Sequence, residues 1–263
     1  MEKIQTPEVY GEVLAYLKKH LEQCIYLTID LEAYGYENPN IQFWYTKTDD
    51  MYDTVLMKYY DSVQLFSANE QWDSTETIEM LKDLNVITIC AKRDMIEKIE
   101  AHMKEYDVAY GIIVKDDSYR EFKQFENVRP ATVDDVEEIV ELMYTDKDYS
   151  DNYTVEGLQQ QLRDRIRDEK GRSYVIEEDG KIVAHTAVYA QCDNIAIEGG
   201  LIVDENYKKR MYGMIIHEYI KKVLIGEGKA VYGFRVMDNM QRYAKLGNLN
   251  IVGHYGKMSR KDK

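Results

Sequence analysis

The chain has 263 residues, 44% of them apolar, with 34 basic against 48 acidic side chains and a net charge of −14. This length fits two ordinary domains with real cores, and the acidic balance argues against a nucleic-acid partner, which needs clustered cations. Cys24, Cys90 and Cys192 stand far apart without metal-ligand spacing or a disulfide framework, and no run approaches the roughly eighteen apolar residues of a span or the apolar stretch of a cleavable leader. No metal and no membrane partner is therefore expected, and the cytoplasm is the expected location.

In the N-terminal half, Val9, Val13, Leu14, Leu17 and Leu21 recur at helical spacing and predict a helix over Pro7 to Ile25. Three segments rich in aromatic and β-branched residues follow, Ile41 to Lys47, Asp53 to Tyr60 and Ser62 to Ala68, and short polar turns between them predict a meander. A helix is expected from about Asp73, carrying Ile78, Met80, Leu81 and Leu84. A buried strand at Val86 to Ala91, a helix at Asp94 to Met103 and a strand at Val108 to Val114 complete this half. The polar stretch Asp116 to Asn127 is the expected boundary, giving domains 1–120 and 127–263.

After it, Val128-Arg129-Pro130 reads as a short strand, and Thr132 with Asp135 resembles a capping box for a helix with Val133, Val136, Ile139, Val140 and Met143 on one face. Thr154 to Arg167 predicts a second helix. Tyr174 to Ile176 and Ile182 to Tyr189 read as a hairpin across Glu178-Asp179-Gly180, since Asp-Gly is a strong turn signal. Ala196 to Val203 is a further strand, Met211 to Leu224 a helix, and Ala230 to Val236 a strand. A short helix at Asn239 to Leu246 and two final strands end the chain. The strand–helix–strand crossing from Ala196 to Val236 implies a locally parallel pair.

From Val128 to Met258 this order and several motifs resemble the GNAT superfamily of N-acetyltransferases. The stretch from Leu201 to Lys222 is similar to the family's strand, cofactor loop and helix. Lys208 stands at the signature's Arg or Gln, Met211 at its first Gly and Gly213 at its second. Arg242 to Asn248 resembles the family's end motif, with Tyr243 at its tyrosine. The resemblance implies an α/β (α+β) fold with a mixed, mainly antiparallel sheet flanked by helices. It is preceded by a second α/β domain that fits a degenerate copy of the same fold, in which Val86 to Glu100 holds the place of the cofactor loop without glycines.

The resemblance also implies acetyl-CoA as cosubstrate and an amine as acceptor, and a homodimer is compatible with it. The backbone of Leu201, Ile202 and Val203 would face the thioester and pantetheine. Lys208, Lys209, Arg210, Met211, Tyr212, Gly213 and Met214 would bring cations and helix-start amides to the pyrophosphate. Met211 departs from the signature, which normally lets the pyrophosphate approach bare backbone, and Lys208 lacks the fork of Arg. Tyr243 reads either as the acid that protonates the leaving thiolate or as a packed helix tyrosine. Glu198 reads as a base or as a surface glutamate, with Ile197 and Leu201 as apolar neighbours. His185 is a rival base or a structural histidine, and Asn239 orients a ligand or caps a helix. Two functions follow: direct acetyl transfer to a primary amine of a small molecule or peptide, or a non-catalytic acyl-CoA-binding or interaction module, for which Met211 is the motive.

Overall fold

The computed structural model describes residues 1–237 and 249–261. Two compact units divide the chain, Met1–Ile113 with Arg235–Lys263, and Val114–Phe234.

The first unit begins with β1 (Glu2–Lys3), α1 (Pro7–Lys19) and α2 (Ile25–Tyr34). Thr6 caps α1 by accepting from the Val9 amide, and Pro7 takes the first turn, where its missing N–H is not needed. The helix expected over Pro7 to Ile25 thus stops at Lys19, a 3₁₀ turn covers Leu21–Gln23, and α2 begins at Ile25. Ile25, Leu27, Thr28, Ile29, Asp30 and Leu31 of α2 are all buried, so no polar stripe marks its period. β2 (Ile41–Thr48), β3 (Met51–Tyr59) and β4 (Ser62–Ser67) form the expected antiparallel meander. Then come α3 (Thr75–Leu84), β5 (Thr88–Lys92), α4 (Arg93–Ile99) and β6 (Tyr106–Asp116), with β5 parallel to β4.

The second unit repeats that order: β7 (Val128–Pro130), α5 (Val136–Met143), α6 (Lys147–Ser150), α7 (Val155–Arg167), β8 (Arg172–Glu178), β9 (Lys181–Gln191), β10 (Ile195–Val203), α8 (Tyr212–Gly226) and β11 (Ala230–Val236). The Thr132–Asp135 capping box forms. Arg129 on β7 grips Asp135 through two bonds of 2.8 and 2.9 Å and holds its carboxyl down at about 2. Asp179 and Gly180 both take positive φ, 52° and 76°, as a type I′ hairpin turn requires.

β7 to β10 pair antiparallel, and β10 pairs parallel with β11, as the crossing implied. One face of this sheet packs Ile176, Ala184, Val188, Ala196 and Val231 under Ile215, Ile216, Ile220 and Leu224 of α8. Val175, Ile182 and Ile202 meet Val136, Ile139, Leu158 and Leu162 of α5 and α7.

The last strand, β12 (Ile251–Arg260), corrects the expected division at 127–263. It lies between β5 and β6, antiparallel to β5 from Tyr255↔Lys92 to Ser259↔Thr88, and buries Met258 in the first unit's core. Residues 235–263 therefore count with the first unit. Among the described residues no helix is long and apolar enough to cross a membrane.

Candidate functional site

The sequence Ile197-Glu198-Gly199-Gly200-Leu201 breaks the regular ladder of β10. Between Ile197↔Ala190 and Glu198↔Val188, β9 carries one extra residue, Tyr189. Between Gly199↔Ala187 and Ile202↔His185, the extra residue is on β10, and Gly200 has φ +67°. Glycine is needed at both positions. A Cβ on Gly199 would lie 2.6 Å from the Tyr189 ring, and one on Gly200 would meet the Tyr189 hydroxyl. That hydroxyl is 2.9 Å from the Tyr149 hydroxyl of α6, and burial pushes both phenols well above their ordinary pKa. The bulge also reverses the alternation, so Leu201 is exposed while Ile197 is buried.

His185 is a fully buried pin for this bulge. Its Nδ1 lies 3.0 Å from the Gly200 carbonyl and its Nε2 3.1 Å from Ser173 Oγ. Burial pushes its pKa down to about 4. The imidazole is neutral, with Nδ1–H donating to Gly200 and Nε2 accepting from Ser173. Its folded pKa lies below the unfolded 6.5, so the unfolded chain binds the proton more readily. The stability is present above pH 6.5 and lost as pH falls toward 4, by roughly 3 kcal/mol in all. Urea unfolding at pH 7 and pH 4.5 is expected to show that loss in the parent protein and a smaller one in His185→Gln. Equal losses in both proteins would remove His185 from the account.

β10 and β11 stay in register from Ile195↔Ala230 to Glu198↔Gly233. Beyond that pair β10 runs on to Val203 and β11 to Val236 without further register, so the sheet forks after Glu198. Along this fork Ile202 is buried and Val203 half-buried. Asp204 then caps a 3₁₀ turn, Glu205–Arg210, by accepting from the Asn206 amide at 2.9 Å.

Met211 stands between this turn and α8 with φ +62°. A non-glycine residue there costs about 1–2 kcal/mol. The signature glycine at this position thus has a conformational reason besides close approach, and the Met211 side chain is 49% exposed. Gly213 has a packing reason, because a Cβ would lie 3.2 Å from Val203 Cγ2. The amides of Met214 and Ile215 both reach the Met211 carbonyl at 3.0 Å. Those of Tyr212 and Gly213 have no acceptor among the described residues and form the open N-terminus of a fifteen-residue helix.

The three cations of the turn are not equivalent. Lys208 pairs with Glu205. Arg210 lies 3.5 Å from Glu178 and over the Tyr207 ring, and the buried Tyr212 donates to Glu178. Lys209 is exposed and has no acidic partner among the described residues.

Glu198 is 2% exposed, on the face covered by α8. Its Oε1 lies 3.6 Å from Nε2 of His217, which the sequence reading missed. Asp116 completes a cluster in which one ligand atom from each of Asp116, Glu198 and His217 lies within 4.8 Å of the others. Lys221 Nζ is 3.6 Å from Asp116 and 2.9 Å from Glu218, and Glu218 accepts from the Arg120 amide at 2.6 Å. The Lys221 ammonium supplies the positive charge that a metal would bring, which speaks against a cation there. A legible signal existed: His217, Glu218 and Lys221 interrupt the apolar face of α8 at i, i+1 and i+4. Asn239 and Tyr243 lie outside the described residues.

Sheet, fork and helix start define the fold of the GNAT acetyltransferases. Residues 133–247 match the family model described as Acetyltransferase (GNAT) family. A Drosophila protein is similar over 98% of this chain and 97% of its own, at 12% identity and TM-score 0.66. A tandem GNAT protein from the clavulanic acid biosynthesis pathway is similar over 98% and 96%, at 12% identity and TM-score 0.61. A GNAT-family acetyltransferase from Colwellia psychrerythraea covers 99% and 99%, at 11% identity and TM-score 0.51. These likenesses establish a two-domain GNAT-like fold. No curated protein matches the chain.

Proposed function

We propose that this protein transfers the acetyl group of acetyl-CoA directly to a primary amine of a small molecule or peptide, in the cytoplasm. The observation that carries the reading is the fork after Glu198↔Gly233 beside the open N-terminus of α8. The residues present fit that donor. Tyr212 and Gly213 offer amides that no described residue engages, Lys209 offers a cation, and Gly213 keeps the helix start close to β10. Acetyl-CoA, when bound, supplies an activated acyl group in its thioester. Leu201, Ile202 and Val203 line the path of the pantetheine, and the Tyr212 and Gly213 amides between Met211 and Met214, with Lys208, Lys209 and Arg210 around them, receive the pyrophosphate.

Glu198, at the apex of the fork, removes the proton from the incoming ammonium, because only the neutral amine is nucleophilic. Tyr243 protonates the departing thiolate, and Asn239 orients the donor. The second reading, an acyl-CoA-binding module without turnover, is favoured by Met211, whose side chain stands where the signature has none. Thiol detection on the full chain, with acetyl-CoA and a panel of primary amines, separates the two. Amine-dependent release of CoA is expected; a thermal shift with acetyl-CoA but no release with any amine would leave the binding module.

A further inference from the structure

Resting on that reading, we propose that His217 is a positioning residue for Glu198 and the first stop of the proton that Glu198 removes from the amine. Glu198 is buried to 2% exposure, so a proton taken up there needs a way out before the next turnover. Its Oε1 faces His217 Nε2 at 3.6 Å, close enough for direct transfer after a small side-chain movement. The His217 side chain on α8 is 13% exposed against 1% for Glu198, so it links the carboxylate to a less enclosed part of the unit.

Charged groups from three elements surround the imidazole. Glu198 approaches from β10 and Asp116 from the end of β6. Lys221, one turn further along α8, lies against Asp116 at 3.6 Å and Glu218 at 2.9 Å, and Glu218 is held by the Arg120 amide. Lys221 is therefore engaged with the flanking carboxylates, and the imidazole is a proton-carrying group that faces Glu198. The step balances: the ammonium N–H bond breaks and a Glu198 O–H bond forms. That proton then passes to the unprotonated nitrogen of His217, which releases it to solvent buffer and returns to neutral. No other reactant is required.

The test uses the full chain, acetyl-CoA and whichever amine of the panel the parent protein turns over. His217→Ala is expected to lower kcat by about 10²-fold while the KM for acetyl-CoA stays within about twofold, because the residue lies beyond the donor path. Added imidazole is expected to restore rate in proportion to its concentration, which a purely structural histidine would not show. His217→Gln keeps polar bulk and serves if the alanine variant fails to fold; it should be equally slow and indifferent to imidazole. Parent-like kcat in either variant overturns the proposal. So does a loss that follows lowered thermal stability and is not rescued by imidazole. No release by the parent protein with any amine overturns the transfer reading itself, and the relay with it.

Discussion

Ending the chain at Asn250 is expected to abolish stable folding of the first unit, although the cut lies more than a hundred residues beyond β6. The removed strand, β12, is the antiparallel partner of β5 through five registered pairs and separates β5 from β6. Without it the edges of two strands lose their ladder bonds, and Met258, fully buried among Ile89, Ile96 and Ile99, leaves a void. The combined loss is of the order of a domain's whole stability, about 5–15 kcal/mol. Met258→Ala, a milder lesion at the same place, should cost about 2–5 kcal/mol. Limited proteolysis with mass analysis reads the outcome: cleavage should spread through residues 1–113 of the truncated chain. Unchanged protection of β5 would show that β12 is dispensable.

Glu198→Gln is expected to lower kcat by about 10²–10⁴-fold, the usual size of general-base catalysis. The substitution is close to isosteric and keeps a polar group beside His217, so the fold and acetyl-CoA affinity should change little. The deficit should shrink as pH rises, because a larger fraction of the amine is then already neutral and needs no base. A KM rising as far as kcat falls would instead make Glu198 a binding residue. Parent-like turnover would return it to the role of a buried structural carboxylate.

Much of the second unit is legible in the sequence because its signals are local. The apolar and β-branched runs of β8 and β9, the Asp-Gly turn, the Thr132–Asp135 box and the apolar stripe of α8 each specify an element within a few residues. α2 escapes because burial on all sides erases its period. The place of β12 escapes because strand pairing across such a sequence separation leaves no local trace. In the site, the basic turn and the helix start that follows it were readable from Lys208 to Gly213. The bulge was announced by two glycines inside a strand pattern, whose meaning depends on Tyr189 lying opposite. The partnership of Glu198 with His217 joins β10 to α8, and only the packed structure brings those residues together.

Hydrogen exchange of the full chain with and without saturating acetyl-CoA tests whether the fork and the start of α8 in the second unit form the donor site. Slowed exchange is expected in peptides covering Gly199 to Val203 and Met211 to Met214. No change is expected near Ser67, where the amide already donates to the buried Met95 sulfur at 3.3 Å. Protection confined to the first unit, or none at all in a folded protein, would contradict that assignment.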